Sequence, residues 1–174
     1  AKMDLKNEKE TNSALEKIRN SSFNINKIST KSVKRNPLPP FTTSTLQQEA
    51  SNKLGFGASR TMRIAQKLYE GINIGSETTG LITYMRTDGV QLSAQAIDEL
   101  RNEITNLHGK EYIPQTPRVY KSKAANAQEA HEAIRPTAIS RHPESMSSYL
   151  DAEQLKLYEL IWKRTISSLS LIHI

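Results

Sequence analysis

The chain of 174 residues contains no cysteine, one tryptophan and few aromatic residues in total, 6%. The absence of cysteine excludes disulfide bonds and a cysteine-ligated zinc site. No apolar run reaches the roughly 18 residues that a membrane-spanning helix needs, and residues 1–6 form no hydrophobic targeting segment. We therefore expect a cytoplasmic protein without a membrane partner.

Two short motifs are also missing. The sequence has no G-x-x-x-x-G-K-[ST] phosphate loop, so we expect no nucleotide cofactor, and it has no D-x-D cluster that would bind a metal ion.

The sequence does have an excess of positive charge: 24 Lys and Arg against 18 Asp and Glu, for a net charge of +6. A basic balance favours contact with nucleic-acid phosphates, although many basic proteins bind no nucleic acid.

The most informative stretch is residues 80–88, G-L-I-T-Y-M-R-T-D. Its apolar and polar residues alternate, which predicts a short strand with Ile82, Tyr84 and Arg86 on one face. A phenol beside a guanidinium suits attack on a phosphodiester, because the tyrosine oxygen can act as nucleophile while the arginine holds the non-bridging oxygens. By itself, a Tyr-x-Arg pair is more often a cross-strand packing pair.

Three blocks of the sequence resemble those of the type IA DNA topoisomerases, in the order found in that family. Residues 80–93 resemble the active-site signature, residues 41–48 with 53–56 resemble the preceding helix-turn-helix, and residues 128–137, Q-E-A-H-E-A-I-R-P-T, resemble the second active-site block. The resemblance covers residues 37–166. Met85 favours the bacterial topoisomerase I branch over topoisomerase III or reverse gyrase. Gly89 stands where the family usually has serine.

This resemblance implies an isomerase that cleaves one DNA strand through a 5′-phosphotyrosyl bond, passes another strand and reseals the break, with Tyr84 and Arg86 as catalytic residues. Because the covalent bond keeps the phosphoester energy, negative supercoils would be relaxed without ATP. The family binds Mg²⁺ through acidic residues of a separate N-terminal domain, so we expect the metal in the full enzyme with its ligands outside this chain. Single-stranded DNA segments would be the substrate of a monomeric, nucleoid-associated enzyme.

The second block supplies further candidate site residues. Residues 124–134 are rich in alanine and glutamate and predict a helix that Pro136 stops, with Gln128, His131 and Arg135 on one face. A histidine there can donate a hydrogen bond to a phosphate and binds it more tightly when protonated. We assign His131 to DNA binding and to shaping the active site. Arg135 is assigned either to phosphate contact or to holding the loop.

Residues 37–70 follow a helix-turn-helix pattern after a proline-rich boundary. The first helix is expected to begin near Ser44 or Thr45, Gly55 and Gly57 supply the turn, and the second helix spans residues 59–70. The candidate DNA-contact residues on the two helices are Gln47, Gln48, Arg60, Arg63 and Lys67. The basic residues among them fit solvated charges on an amphipathic helix equally well. The expected core stripe of the second helix is Met62, Ala65, Leu68 and Tyr69.

A polar loop, residues 71–80, leads into the Tyr84 segment, so this order of elements predicts a winged-helix-like module with the tyrosine near the wing. Two more amphipathic helices follow. Ser93 caps the first of these helices, and Gly109 ends it. Asp151 and Gln154 form a capping box at the start of the second helix, which carries Trp162 as a core anchor. The expected core residues of the first are Ile97, Leu100, Ile104 and Leu107.

The expected fold class is mainly α with short strands. Residues 11–19 predict an amphipathic helix and residues 23–28 a half-buried strand. By the resemblance, residues 1–36 belong to the β-rich arch (gate) domain of the topoisomerase toroid, and residues 37–166 form its winged-helix-like tyrosine domain. Residues 167–174 form an apolar tail off this pattern, and His173 is given no function. We interpret the chain as a fragment that is inactive alone.

Two other functions stay open. A non-catalytic winged-helix DNA-binding module would share the fold but would need neither the Tyr-x-Arg pair nor the histidine block. A tyrosine recombinase is the third choice, because its dispersed arginine and histidine blocks are not recognisable in this order.

Overall fold

The computed structural model describes residues 4–31, 36–75, 77–121 and 131–171. The chain divides into two compact units, residues 1–35 and 36–174. In the first unit, helix α1 spans Glu8–Arg19, and the side chain of Asn7 caps it by accepting a hydrogen bond from the Glu10 N–H. Because the helix begins at Glu8, it is one turn longer than the sequence predicts.

The predicted strand at residues 23–28 is wrong. Residues 21–31 have no regular secondary structure, and the side chains of Phe23 and Ile25 are 77% and 82% exposed. A strand is stable only when another strand pairs with it. The described part of this unit contains no second strand, so the alternating pattern has no partner there.

The second unit is mainly helical with one small antiparallel sheet, as the sequence predicts. Its elements are α2 (Thr43–Leu54), α3 (Ala58–Glu70), β1 (Ile72–Asn73), β2 (Thr78–Thr79), α4 (Ala94–His108), a short 3-10 helix (Lys110–Tyr112), α5 (Pro143–Met146) and α6 (Ala152–Leu169). Strands β1 and β2 pair in a hairpin with Ile72 opposite Thr79. No helix in the described part of the chain is long and apolar enough to cross a membrane.

Helices α2 and α3 form the predicted helix-turn-helix. Thr42, rather than Ser44 or Thr45, caps α2, and it forms a reciprocal capping box with Thr45. Gly55 ends α2 in the left-handed conformation, with φ of 69°. The cap therefore lies two residues earlier than expected. At this position the start of α2 contacts the Tyr84 segment.

The main core lies where α2, α3 and α6 pack against one another. Phe41, Leu46, Leu68 and Tyr158 are fully buried there. The Tyr158 hydroxyl donates to the backbone oxygen of Arg141 at 2.7 Å, and burial raises the pKa of Tyr158. The core also contains the segment that carries Tyr84, so the best-packed part of the unit supports that residue.

A second cluster joins α4 to α6. Leu100 and Ile104 pack with Trp162, whose indole N–H donates to the backbone oxygen of Ile139 at 2.9 Å. The predicted caps at Ser93 and Gly109 are confirmed, as is the capping box of Asp151 with Gln154. Leu107 is exposed, so its assignment to the core is wrong: it lies in the last turn of α4, where Asn106 and His108 are exposed as well.

The stretch predicted as an off-pattern tail is part of the fold as far as residue 171. Ser168, Leu169 and Ser170 are buried at the end of α6. The N–H of Leu171 donates to the backbone oxygen of Tyr112 at 2.8 Å. The apolar character of this stretch is explained by burial against the α4 region, while His173 lies outside the described residues.

Candidate active site

The Tyr84 segment is held from two directions but is not a regular strand. Its contact with the chain after residue 131 is a single antiparallel bridge, Ile82 opposite Pro136. Two backbone hydrogen bonds flank that bridge, from Thr83 N–H to the Arg135 oxygen at 2.9 Å and from Thr137 N–H to the Leu81 oxygen at 3.0 Å. The bonds tie residues 81–83 to residues 135–137.

The start of α2 holds the other end of the segment. The Thr43 hydroxyl donates to the Met85 oxygen at 2.8 Å, and the Thr43 N–H donates to the Thr87 oxygen at 2.9 Å. Leu81 and Ile82 are both buried, so both faces of this part of the segment are covered. The segment is covered on more than one side by other elements, which removes the exposed face that a half-buried strand has.

Tyr84 is half-buried and lies between other aromatic rings. Its ring centroid is 5.4 Å from that of Tyr69, at an interplanar angle of 66°, and 4.9 Å from that of His131, at 49°. The Tyr84 hydroxyl has no hydrogen bond to any residue in the described ranges. Its ring is therefore fixed by packing, and its oxygen is left available to an incoming group.

Arg86 is exposed two residues further on. Among residues 4–31, 36–75, 77–121 and 131–171 it has no carboxylate partner. An unpaired guanidinium beside a phenol can bind an anionic oxygen pair without first breaking an ion pair. Sequence reasoning placed these two residues together, and the structure keeps both accessible.

The histidine block does not end in a helix. Residues 131–134 are not helical: Ile134 lies opposite Phe41 in an antiparallel bridge, and the Ala133 N–H donates to the Gln91 oxygen at 3.0 Å. The predicted helix is therefore wrong at its end, because main-chain pairing with the start of α2 replaces helical bonds. Residues 124–130, including Gln128, lie outside the described residues. His131 is exposed and contacts Tyr84.

Arg135 is tied into its own loop. Its guanidinium donates to a Glu132 carboxylate oxygen at 2.7 Å and to the Pro136 oxygen at 2.9 Å, and its side chain is only 16% exposed. Burial acts to raise the pKa of Glu132, but the hydrogen bond and charge of Arg135 outweigh it, and that pKa is lowered. Of the two roles left open for Arg135, this geometry supports holding the loop.

The basic residues of α3 differ in whether an acidic side chain pairs with them. Arg60 lies over the Phe56 ring and forms a bidentate ion pair with Glu153. The hydrogen bond from Arg60, together with its charge, lowers the pKa of Glu153. Arg63 and Lys67 are exposed, and neither has an ion-pair partner in the described part of the chain. They are the charges on this face that remain open to an external anion.

The two glutamines of α2 line a shallow polar groove. The groove has a volume of about 440 Å³ and is bounded by Ser44, Gln47, Gln48, Ser51, Asn52 and Ala58. Gln48 is exposed and Gln47 is partly buried. Amide and hydroxyl groups of this kind can bond to sugar and phosphate oxygens.

Sequence reasoning missed Tyr69 as a neighbour of Tyr84. It assigned Tyr69 to the core stripe of α3, but the side chain is 40% exposed and packs edge-on against Tyr84. Leu68, the adjacent residue, occupies the core instead. Since successive helix residues point about 100° apart, two neighbours cannot both face the centre of a stripe, so the sequence could have indicated the exposure of Tyr69 but not its contact with Tyr84.

The described residues form no group of metal ligands near this site. No set of three or more His, Cys, Asp or Glu residues within the described ranges could hold a metal ion. Glu132, the carboxylate beside His131 in the sequence, is already paired with Arg135. The residues described here do not fit a Mg²⁺ site.

Comparison with known proteins decides the family. A sequence model of the DNA topoisomerase family matches residues 1–173. The chain belongs to this family. It is similar to DNA topoisomerase 1 of Rickettsia bellii, with 57% identity over 166 residues, 95% of this chain and 21% of the relative. It is also similar to DNA topoisomerase 1 of Helicobacter pylori, with 48% identity over 95% of this chain and 22% of the relative.

The fold agrees with that family assignment. The solved structure of full-length topoisomerase I from Thermotoga maritima matches with a TM-score of 0.67 and 48% identity, over 78% of this chain and 21% of that chain. The predicted likeness to bacterial topoisomerase I is confirmed, and the alternative of a non-catalytic DNA-binding module is not favoured. The chain spans about a fifth of the length of the curated relatives it matches.

Proposed function

We propose that this topoisomerase chain carries the nucleophile of a type IA enzyme, and that the nucleophile is Tyr84. The phenol oxygen attacks a phosphorus of one DNA strand, a 5′-phosphotyrosyl bond forms, and the 3′-hydroxyl of the neighbouring nucleotide leaves with the proton lost by the phenol. The reverse attack by that hydroxyl reseals the strand. One phosphoester replaces another in each step, so negative supercoils can be relaxed without ATP.

The observation that carries this proposal is a phenol ring fixed by packing, two residues before an arginine that no described carboxylate neutralises. The Tyr84 ring is held by Tyr69 and His131, and Arg86 beside it has no carboxylate partner in the described part of the chain. A tyrosine ionises near pH 10 in water, so attack at neutral pH needs nearby positive charge and a proton acceptor. Arg86 supplies the charge and holds the two non-bridging oxygens.

The neighbouring block has a supporting role. His131 contacts the Tyr84 ring and is exposed, so it can donate a hydrogen bond to the DNA backbone at the cleavage site. Arg135 keeps His131 in place through its ion pair with Glu132 rather than by touching DNA. We therefore assign His131 to DNA binding and Arg135 to the loop.

DNA reaches this site along the helix-turn-helix. In this proposal α2, α3 and the β1–β2 hairpin act as a winged-helix-like reader of single-stranded DNA, with the hairpin as a small wing. Arg63 and Lys67 supply phosphate contacts, and Gln47 and Gln48 supply polar contacts. Arg60 contributes less, because its charge is already neutralised by Glu153.

The remaining parts of the reaction belong to the longer protein. Residues 37–166 are proposed as the tyrosine domain and residues 1–36 as part of the arch domain of a monomeric, nucleoid-associated enzyme. Strand passage needs a gate, and the expected Mg²⁺ needs ligands. The gate and the ligands would come from other regions, because this chain corresponds to about a fifth of the relatives' length. The chain alone would therefore bind DNA without relaxing it.

An end-labelling experiment on the full-length protein tests the proposal. A single-stranded oligonucleotide is labelled at its 3′ end or at its 5′ end, incubated with protein and resolved on a denaturing gel. A 5′-phosphotyrosyl bond leaves the protein joined to the downstream fragment, so only the 3′ label should run with the protein. Tyr84→Phe should abolish this band while DNA binding stays unchanged, and Tyr112→Phe, at a tyrosine on a separate element, should keep it.

Two outcomes would contradict the proposal. Protein carrying the 5′ label would indicate the opposite polarity of attachment. A labelled band that persists in Tyr84→Phe would exclude Tyr84 as the nucleophile.

A further inference from the structure

Tyr84 and its two aromatic neighbours form a three-ring cluster, consisting of Tyr69, Tyr84 and His131. Tyr84 contacts both of the other rings, at centroid distances of 5.4 Å and 4.9 Å. Between Tyr69 and His131 the described structure gives no ring contact. Tyr84 is therefore the ring that the two contacts share.

The backbone brings these rings together through two close approaches. A Cβ atom on Gly80 would lie 2.5 Å from the Tyr69 backbone oxygen, and a Cβ atom on Gly89 would lie 2.4 Å from the His131 backbone oxygen. Both distances are shorter than real Cβ contacts. The glycines flank the Tyr84 segment, and the backbones they touch belong to the same two residues whose rings contact Tyr84.

The position of the Tyr84 oxygen depends on these contacts. It lies at the end of a side chain with two rotatable bonds, and no hydrogen bond within the described ranges restrains it. A small rotation about the Cα–Cβ bond moves the oxygen away from the line of attack, and loss of such alignment is costly in rate. Packing of the Tyr84 ring against its neighbouring rings restricts this rotation.

We propose that Tyr69 is a positioning residue for the cleavage reaction, acting through the edge-on contact of its ring with Tyr84. This inference rests on the proposed role of Tyr84 as nucleophile. The ring, and not the hydroxyl, carries the effect, because the Tyr69 hydroxyl has no hydrogen bond in the described part of the chain. The 40% exposure of Tyr69 means that its removal disturbs the core little.

The test separates cleavage from binding in the full-length protein. Single-turnover cleavage of a 3′-labelled oligonucleotide is measured at saturating protein, and the Kd for the same oligonucleotide is measured separately. Tyr69→Ala and Tyr69→Leu should slow cleavage by about tenfold, the upper range for an aromatic contact, with unchanged Kd. Tyr69→Phe keeps the ring and should cleave at the rate of the unaltered protein.

Tyr112→Ala is the matched control. Tyr112 is also 40% exposed and also makes an edge-on ring contact, with His108 at 6.3 Å, but it has no ring contact with Tyr84. Its loss removes the same amount of exposed aromatic side chain from another place. We expect unchanged cleavage and unchanged Kd for this variant.

Several results would overturn the inference. A normal cleavage rate in Tyr69→Ala, with or without weaker DNA binding, would exclude a positioning role for Tyr69. Tyr69→Phe as slow as Tyr69→Ala would move the effect to the hydroxyl and contradict the ring contact. These failures differ from failure of the proposed function, since Tyr84→Phe would still lose the covalent band in each of them.

Discussion

Two segments of this chain share one sequence pattern but differ in burial. Residues 23–28 and residues 81–86 both alternate between apolar and polar, and both are predicted as strands. In the first, Ile25 is 82% exposed, whereas in the second Ile82 is 1% exposed. The second segment is covered because residues 135–137 pair with it and Thr43 bonds to its end. Alternation of apolar and polar residues therefore indicates that a segment can pair with another strand. Neighbouring elements decide whether such pairing and burial occur.

The largest expected effect comes from placing the same substitution in both segments. Ile82→Ser should lower the free energy of unfolding of residues 36–174 by about 3 kcal/mol, because it removes buried methyl groups and buries a hydroxyl. Ile25→Ser should change it by less than about 0.5 kcal/mol. Trp162, the only tryptophan, lies in the second unit, so its fluorescence during denaturation of the 174-residue chain reports on that unit. Equal effects of the two substitutions would contradict the comparison.

The next effect concerns Arg86, at the exposed end of the covered segment. Arg86→Lys in the full-length protein should slow single-turnover cleavage by about 100-fold, because an ammonium cannot hold two phosphate oxygens in a planar fork. Arg19→Lys, at the exposed end of α1, is the control and should leave the rate unchanged. A normal cleavage rate in Arg86→Lys would exclude a bidentate role.

The smallest effect extends the comparison from apolar side chains to charges. Arg63 and Lys67 have no ion-pair partner in the described residues, whereas Arg60 is paired with Glu153. Each true phosphate contact with single-stranded DNA contributes about 0.7 to the slope of log affinity against log salt. Arg63→Ala with Lys67→Ala should therefore lower the slope by about 1.4, and Arg60→Ala by much less. If all three substitutions lower it equally, pairing with Glu153 does not remove Arg60 from binding.

Local signals predicted the helices of the second unit well. The capping pattern at Asp151, the glycine at 55 and the spacing of Leu100 and Ile104 depend on neighbours within one or two turns, and the structure agrees with each. What failed depended on distant partners. Residues 131–134 are not helical, and Ile134 instead bridges to Phe41, some 90 positions earlier in the chain, which helix propensity cannot anticipate.

The candidate site was predictable in its residue types and less so in its arrangement. Tyr84, Arg86 and His131 could be named from three blocks that resemble a known family, and the ring contact between Tyr84 and His131 fits that choice. The contact of Tyr69 with Tyr84 could not be read from spacing, because it depends on how closely Gly80 lets the chain approach α3. The pairing of Arg135 with Glu132 likewise depends on the loop geometry.

The most direct test of the central claim identifies the residue that carries the DNA. Covalent complex of the full-length protein with an oligonucleotide is trimmed by nuclease, digested with trypsin and sequenced by tandem mass spectrometry. Cleavage after Lys67 and Arg86 releases residues 68–86, a peptide that contains both Tyr69 and Tyr84. The account predicts that the added nucleotide mass lies on Tyr84 alone. The same mass on Tyr69, or on a peptide from another part of the protein, would contradict it.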